Sequence, residues 1–479
     1  MNYRILIYIM GWVMNFEALF LLLPCIVALV YQEPEGWYFL ATAVATGFIG
    51  IGLTIKKPKN NQFHAREGFV LVALSWILIS LISAVPLCVS GRIPNYIDAL
   101  FEMVSGFTTT GASILPAVEE LPNCMNFWRC FSNWIGGMGV IVFILTILPL
   151  TGSNANMYLM RAESPGPSFG KLVPKLKKTA MILYIMYIGL TLLQLILLLF
   201  GGLDFFDALC VSIATAGTGG FGIKNDGFSG YSSYVQIVVT VFMFLFGVNF
   251  KFYFLLIMRK FKEAFSIEEV RWYAILYALA TILIAIDIFH LMGGIGASLK
   301  HSAFQVATVM TTTGFATTDF NQWPVFSQTI MVLLMFVGAC AGSTGGGMKI
   351  SRFIIYIKSA LKEVATLLHP NSVKKIKMDG KVVDHETVRT ANIYLITYIL
   401  LVSASILIVS LDGFDLVTTV TSVIATFNNI GPGLGVVGPM GNFSSLSILS
   451  KLVLIFDMLV GRLEIFPMIV LFFRDTWKR

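Results

Sequence analysis

The sequence predicts an all-α polytopic membrane protein of about ten transmembrane helices. Three observations carry that expectation. The 479 residues are 57% hydrophobic and only 12% charged, with a mean hydropathy of +0.81, where a soluble chain carries roughly a quarter charged residues. The apolar residues come in blocks long enough for the roughly 20 helical residues that cross hydrocarbon. Between some blocks lie shorter, half-polar segments, each followed by glycine at once or after one residue.

The apolar blocks run over 5–31, 37–55, 69–89, 128–150, 179–200, 234–257, 272–292, 328–357, 391–411 and 449–473. The first is too long for a signal-peptide core and lacks a small-residue cleavage site, so it reads as a retained helix. The short segments are 98–110, 207–218, 301–313 and 415–429, each too short to cross. The six cysteines are scattered without a CxxC pair, which indicates neither zinc nor a disulfide framework. Cys124 and Cys130 are left either as apolar thiols or as a pair facing an oxidising compartment.

The net charge of +7 does not point to nucleic acid, because the basic residues gather in loops between spans. Lys56, Lys57, Lys59 and Arg66 share one loop, and Arg161, Lys171, Lys175, Lys177 and Lys178 another. Arg259, Lys260, Lys262 and Arg271 follow, then a polar stretch from Lys349 to Arg389, and finally Arg474, Lys478 and Arg479. By the positive-inside rule these loops and both termini are cytoplasmic. The opposite side carries only Arg92, Arg129, Lys224, Lys300 and Lys451. All four short segments fall on that outer side, so each must dip into the membrane and return.

The segments repeat. Asp98 stands thirteen residues before Gly111, Asp207 thirteen before Gly220, His301 thirteen before Gly314, and, less regularly, Thr418 thirteen before Gly431. The glycine neighbourhoods read TTTGAS (108–113), GTGGFG (217–222), TTTGFA (311–316) and NIGPGL (429–434). This is a helix, short helix, loop and helix unit used four times. The chain divides into two N-terminal helices (1–62) and repeats over 63–152, 153–260, 261–370 and 371–479.

Backbone that stops being helical inside a membrane leaves carbonyls unpaired, which is tolerable only where protein or water surrounds it. Four such strands around a pseudo-fourfold axis would stack carbonyl oxygens that replace the water shell of a monovalent cation. Glycine lets those carbonyls turn inward, threonine adds hydroxyls and a stiff χ1, and each short helix points its negative end at the axis. Asp98 and Asp207 are expected to cap their helices. The filter candidates are Thr109, Thr110 and Gly111; Thr218, Gly219 and Gly220; Thr312, Thr313 and Gly314; and Asn429, Ile430 and Gly431. A re-entrant turn whose glycine merely permits packing is the other reading of any single copy.

Several stretches together resemble a known family. HAREGF (64–69), TTTGAS (108–113), NWIGGMGVIV (133–142), GTGGF (217–221), TTTGFA (311–316), GACAGSTGGGMK (338–349), FNNIGPGLG (427–435) and MLVGRLEIF (458–466) are similar to the Trk-type (TrkH-like) potassium uptake pore subunits of the Trk/Ktr/HKT superfamily. The resemblance covers nearly the whole chain, and the two extra N-terminal spans favour the Trk-type branch. It implies a single-chain pseudo-tetramer assembled as a homodimer in a bacterial or archaeal cytoplasmic membrane. It also implies a cytoplasmic ring of nucleotide-binding RCK/KTN (TrkA-like) regulatory subunits and K+ as the transported ion. The family's filter glycines fall on Gly111, Gly220, Gly314 and Gly431; in the superfamily, serine at the first goes with sodium preference. The second loop departs from the pattern with Gly217 and Gly222.

The stretch Gly338, Ala339, Cys340, Ala341, Gly342, Ser343, Thr344, Gly345, Gly346, Gly347, Met348 and Lys349 interrupts an apolar block. It is no Walker A motif, because Met348 separates Gly347 from Lys349 and no strand precedes it. A flexible intramembrane loop blocking the pore is the functional reading, which the family resemblance supports; a passive packing kink is the alternative. Arg462 lies in the last block, where an arginine is costly unless it meets water or a partner. It reads as a charge lining the pore beside that loop, or else as an ion pair with Glu464 or Asp457; Lys251 is a weaker candidate. Asp98, Glu102, Glu119, Glu120, Asp204 and Asp207 are placed near the outer mouth, where acids concentrate cations. The polar segment 359–390 is expected to help dock the regulatory ring.

The leading function is a gated, K+-selective, channel-like uptake protein needing membrane lipid and no organic cofactor. A proton- or sodium-coupled symporter is the alternative, for which the spans supply few titratable groups: Glu17, Asp287, Asp457 and Glu464. Five histidines with no HExxH or GxSxG give no enzymatic constellation.

Overall fold

The structure is a computed structural model that describes residues 1–58, 64–139, 176–371 and 374–478. The inner part of the block 128–150, the boundary at 152/153 and the basic residues Lys59, Arg161, Lys171, Lys175 and Arg479 lie outside the described residues. Their regular elements are helices apart from one two-stranded hairpin. Six helices among them are long and apolar enough to cross a membrane: Tyr3–Tyr31, Gly36–Thr54, Arg66–Val89, Met181–Phe200, Glu268–Asp287 and His385–Asp412.

The first of these breaks at Leu21 into Tyr3–Phe20 and Leu22–Tyr31. Pro24 has no N–H to donate to the Phe20 carbonyl, and its ring crowds that oxygen. The first part packs closely on Gly36–Thr54 through small residues: a Cβ at Gly50 would lie 2.4 Å from Asn15 Oδ1. The chain ends meet, with the Tyr3 hydroxyl donating to the Trp477 carbonyl (2.6 Å) and the terminal amine to that of Lys478 (3.2 Å).

Four short helices follow at the expected places: Tyr96–Phe107, Phe205–Gly217, Ile295–Met310 and Leu416–Phe427. Their caps differ from expectation. Asn95 caps the first, accepting from the Ile97 N–H (2.9 Å), and Asp204 occupies the cap position of the second. Asp98 and Asp207 sit one turn inside, where a carboxylate still suits the helix N-terminus. Asp98 is taken by Lys451 (2.7 Å), and Asp207 lies 3.9 Å from Lys224. Asp415 caps the fourth, accepting from the Thr418 N–H (3.1 Å).

The helices after the second, third and fourth short ones are interrupted, although the sequence reads 234–257 and 449–473 as unbroken. Ser233–Phe246 and Phe250–Ile257 meet at 92°. The break has two local causes: Asn249 accepts from the Lys251 N–H (2.9 Å) and starts a new helix, and Gly247 admits Tyr273, whose hydroxyl would lie 2.4 Å from an added Cβ. Ile448–Arg462 and Phe466–Val470 are separated by Glu464 and Ile465 at φ 54° and 72°. Val325–Phe336 and Ile350–Leu368 flank the glycine-rich stretch.

The expected polar loop 359–390 is more ordered than its composition implies. Helix continues to Leu368, and Lys377–Met378 pairs with Lys381–Val382 across Asp379–Gly380. Both turn residues have positive φ, the two-residue turn that Asp-Gly favours. All six cysteines are free, so Cys124 and Cys130 are buried thiols rather than a pair.

Candidate ion pathway

The four short helices end alike. An amide two or three residues past each end reaches back five residues: Thr110 to Ser105 O (2.8 Å), Gly219 to Ala214 O (3.0 Å), Thr313 to Thr308 O (2.8 Å) and Ile430 to Ala425 O (2.8 Å). That is the long bond of a Schellman cap, which needs a left-handed residue just before it. Thr109, Thr218, Thr312 and Asn429 fill that place at φ 54°, 52°, 59° and 55°. Two residues later come Gly111, Gly220, Gly314 and Gly431 at φ 77°, 73°, 87° and 98°. A left-handed β-branched residue is strained by about 1–3 kcal/mol. Three of the four loops carry one.

The loops touch in sequence. A Cβ added to Gly111 would lie 2.5 Å from Gly219 O, one on Gly220 1.9 Å from Thr313 O, one on Gly314 2.3 Å from Ile430 O, and one on Gly431 2.6 Å from Thr110 O. First abuts second, second third, third fourth, and fourth first. All twelve expected filter residues are thus brought into one closed ring. Thr109, Thr110, Thr218, Thr312, Thr313 and Asn429 are buried. The Asn429 amide donates to Thr110 Oγ1 (3.0 Å) and Met458 O (2.9 Å), fastening the fourth loop to the first.

A buried ion pair braces two loops: Glu102, expected near the outer mouth, and Arg129, expected on the outer side, are both buried and paired. Glu102 accepts from Arg129 Nε (2.8 Å), from the Ile114 N–H (3.0 Å) and from Ser113 Oγ (3.0 Å), just past the first glycine. Arg129 Nη1 also donates to Gly222 O (3.2 Å), just past the second, and the guanidinium lies 4.3 Å over the Phe221 ring. An arginine within the apolar CMNFWRCF stretch was the available signal, since such a charge requires a partner. Of the other expected mouth acids, Glu119 accepts from the Asn225 N–H (3.0 Å). With Asp207, Lys224 and Asp226 it lines a cleft of about 420 Å³.

The glycine-rich stretch lies against the ring. The Gly346 N–H donates to Thr312 Oγ1 (2.7 Å), and a Cβ on Gly346 would lie 2.9 Å from Asn429 Cβ. Gly338 N–H to Met348 O (2.8 Å) closes the stretch on itself, and Cys340 N–H to Gly247 O (3.1 Å) ties it to the bend. Lys349 Nζ donates to the Gly345 and Gly346 carbonyls. Arg462 donates to Thr344 O (3.1 Å) in the stretch and to Gly136 O in the neighbouring first repeat. Glu464, offered as its alternative partner, is paired with Arg352, and Asp457 accepts from Ser405 Oγ (2.8 Å). Lys251 is half-buried at the head of Phe250–Ile257, next to Phe250, whose N–H donates to Gly342 O (3.0 Å) in the stretch.

Long apolar helices, short helices between them and a ring of non-helical backbone fit a polytopic membrane transport protein. The chain belongs to the TrkH family: a family model described as "Cation transport protein" matches residues 37–478. It is 35% identical over 487 residues, covering all of both chains, to the Trk system potassium uptake protein TrkH of Escherichia coli K12. It is 34% identical over 482 residues, 99% of each chain, to that organism's Trk system potassium uptake protein TrkG. The crystal structure of the potassium transporter TrkH from Vibrio parahaemolyticus superposes with a TM-score of 0.89 at 29% identity, covering all of both chains. Cation transport, not catalysis, is the family's activity.

Proposed function

We propose that this chain takes up potassium through a gated, K+-selective, channel-like pore. The closed ring of four matched loops carries this reading. In each, a left-handed residue and a left-handed glycine bracket one residue that is not at positive φ, an alternation that can turn successive carbonyls to one side, where they would replace potassium's hydration shell. The four repeats, 63–152, 153–260, 261–370 and 371–479, then stand around a pseudo-fourfold axis, with residues 1–62 as two added helices. K+ is cargo, held by Thr109 to Gly111, Thr218 to Gly220, Thr312 to Gly314 and Asn429 to Gly431. The stretch 338–349 is the gate, and Arg462, bonded to it and to Gly136 of the first repeat, holds it closed.

The same reading places the protein in the cytoplasmic membrane of a prokaryote as a homodimer, termini inside, with a nucleotide-binding RCK/KTN ring docked on its inner face. Coupled symport is the second reading, favoured by two buried carboxyls, Glu17 beside Ser83 and Asp457 beside Ser405.

Gly111→Ser tests the filter. The side chain must enter a left-handed position and the space of Gly219 O, so potassium discrimination against sodium should fall several-fold in competition flux. An unchanged ratio would remove Gly111 from the filter.

A further inference from the structure

Two adjacent glutamates join the inner hairpin to the glycine-rich stretch. Glu268 and Glu269 open the helix Glu268–Asp287. The Glu268 N–H donates to Asp379 Oδ1 at the hairpin turn (2.7 Å). The Glu268 carboxylate lies 2.5 Å from Lys358 Nζ, which also donates to Lys377 O on the first strand (2.7 Å). Glu268 thus holds the hairpin twice, once directly and once through Lys358.

Glu269 faces the other way. It is only 4% exposed, and its Oε1 accepts from the Ala341 N–H (2.7 Å) and the Ser351 N–H (3.1 Å). Ala341 lies in the glycine-rich stretch. Ser351 is in the first turn of Ile350–Leu368, where an amide has no partner within its own helix. One buried oxygen therefore pins both the stretch and the head of the helix that leaves it. Without that oxygen, two buried N–H groups lose their acceptor, and a buried donor left unmet is costly.

Neighbours in a helical turn share one rigid frame, 1.5 Å and about 100° apart. Lys358 and Ser351 share a second frame, the helix Ile350–Leu368. Displacing the hairpin therefore loads both frames at the points where Glu269 holds the glycine-rich stretch.

We propose that Glu269 is a positioning residue for the stretch 338–349, and that the Glu268–Glu269 pair is the link through which displacement of hairpin 377–382 loosens it. The proposal rests on the gate reading given above. It makes the hairpin the regulatory handle at the inner face.

The test reads the stretch directly through Cys340, which is buried, alongside rubidium flux. Full-length protein in liposomes is exposed to a small maleimide, and the rate at Cys340 is followed by peptide mass spectrometry. Four variants are compared: Glu269→Ala, Glu269→Gln, the hairpin pair Asp379→Ala with Lys358→Met, and the hairpin pair combined with Glu269→Ala. Glu269→Ala should speed labelling by about fivefold or more. Glu269→Gln keeps Oε1 as an acceptor and should stay within about twofold of the parent. The hairpin pair alone should speed labelling, and the combination should add nothing beyond Glu269→Ala, as coupled sites do.

Parent-like labelling in the hairpin pair, or single effects that multiply in the combination, would overturn the link. Labelling of Glu269→Gln as fast as Glu269→Ala would overturn the role of its hydrogen bonds. Labelling that follows the expected pattern while rubidium flux stays unchanged would leave the link standing and contradict the gate.

Discussion

At the level of single residues, the four left-handed positions are the most unusual feature of the chain. Threonine avoids that conformation, so nothing in its side chain announces Thr109, Thr218 and Thr312 as strained. The glycines two residues later were legible because each must reach a φ that other residues resist. Asp415 allows a residue-level prediction. The Thr418 hydroxyl (2.5 Å) and then its N–H hold the Asp415 carboxyl below its usual range. A depressed carboxyl contributes stability above its unfolded pKa and loses it as pH falls through the folded value. Asp415→Ala should cost about 1 kcal/mol near neutral pH, seen as a lower Tm, and the gap should close below about pH 4. A gap that persists in acid would show that the carboxylate is not the source.

At the level of elements, the sequence located every short helix to within a few residues, except that the third starts earlier, at Ile295. Their spacing to glycine is a local property. The breaks at 247–249 and 463–465 were not legible, because both flanks are apolar and a bend between apolar halves leaves no mark in hydropathy. The brace Glu102–Arg129 was missed for a related reason: the partners are 27 residues apart on different helices. Arg129→Met would strand a buried carboxylate, and breaking one side of such a pair costs about 3–5 kcal/mol. Thermal unfolding should show the loss, and adding Glu102→Gln should restore a good part of it. A double variant no better than the single would mean that Arg129 acts on Gly222 and Phe221 alone. Arg462→Ala removes two carbonyl contacts, to the glycine-rich stretch and to Gly136, and on the proposed gate should raise rubidium flux measured without a regulatory subunit. Flux at or below the parent level would take Arg462 out of the gate.

At the level of the whole molecule, the account turns on closure of the ring. Sequence supplied four matched units but not their order in space, which the contacts from Gly111 through Gly220 and Gly314 to Gly431 now give. A pore with such a ring needs no second ion to move potassium down its electrochemical gradient. A coupled carrier would need its buried carboxyls, Glu17 or Asp457, to load and release a proton. The most direct measurement is rubidium uptake into liposomes of the purified protein, with potassium or sodium competing and no proton or sodium gradient imposed. The account predicts uptake that potassium blocks and sodium does not. Uptake that appears only when a proton or sodium gradient is applied would contradict it.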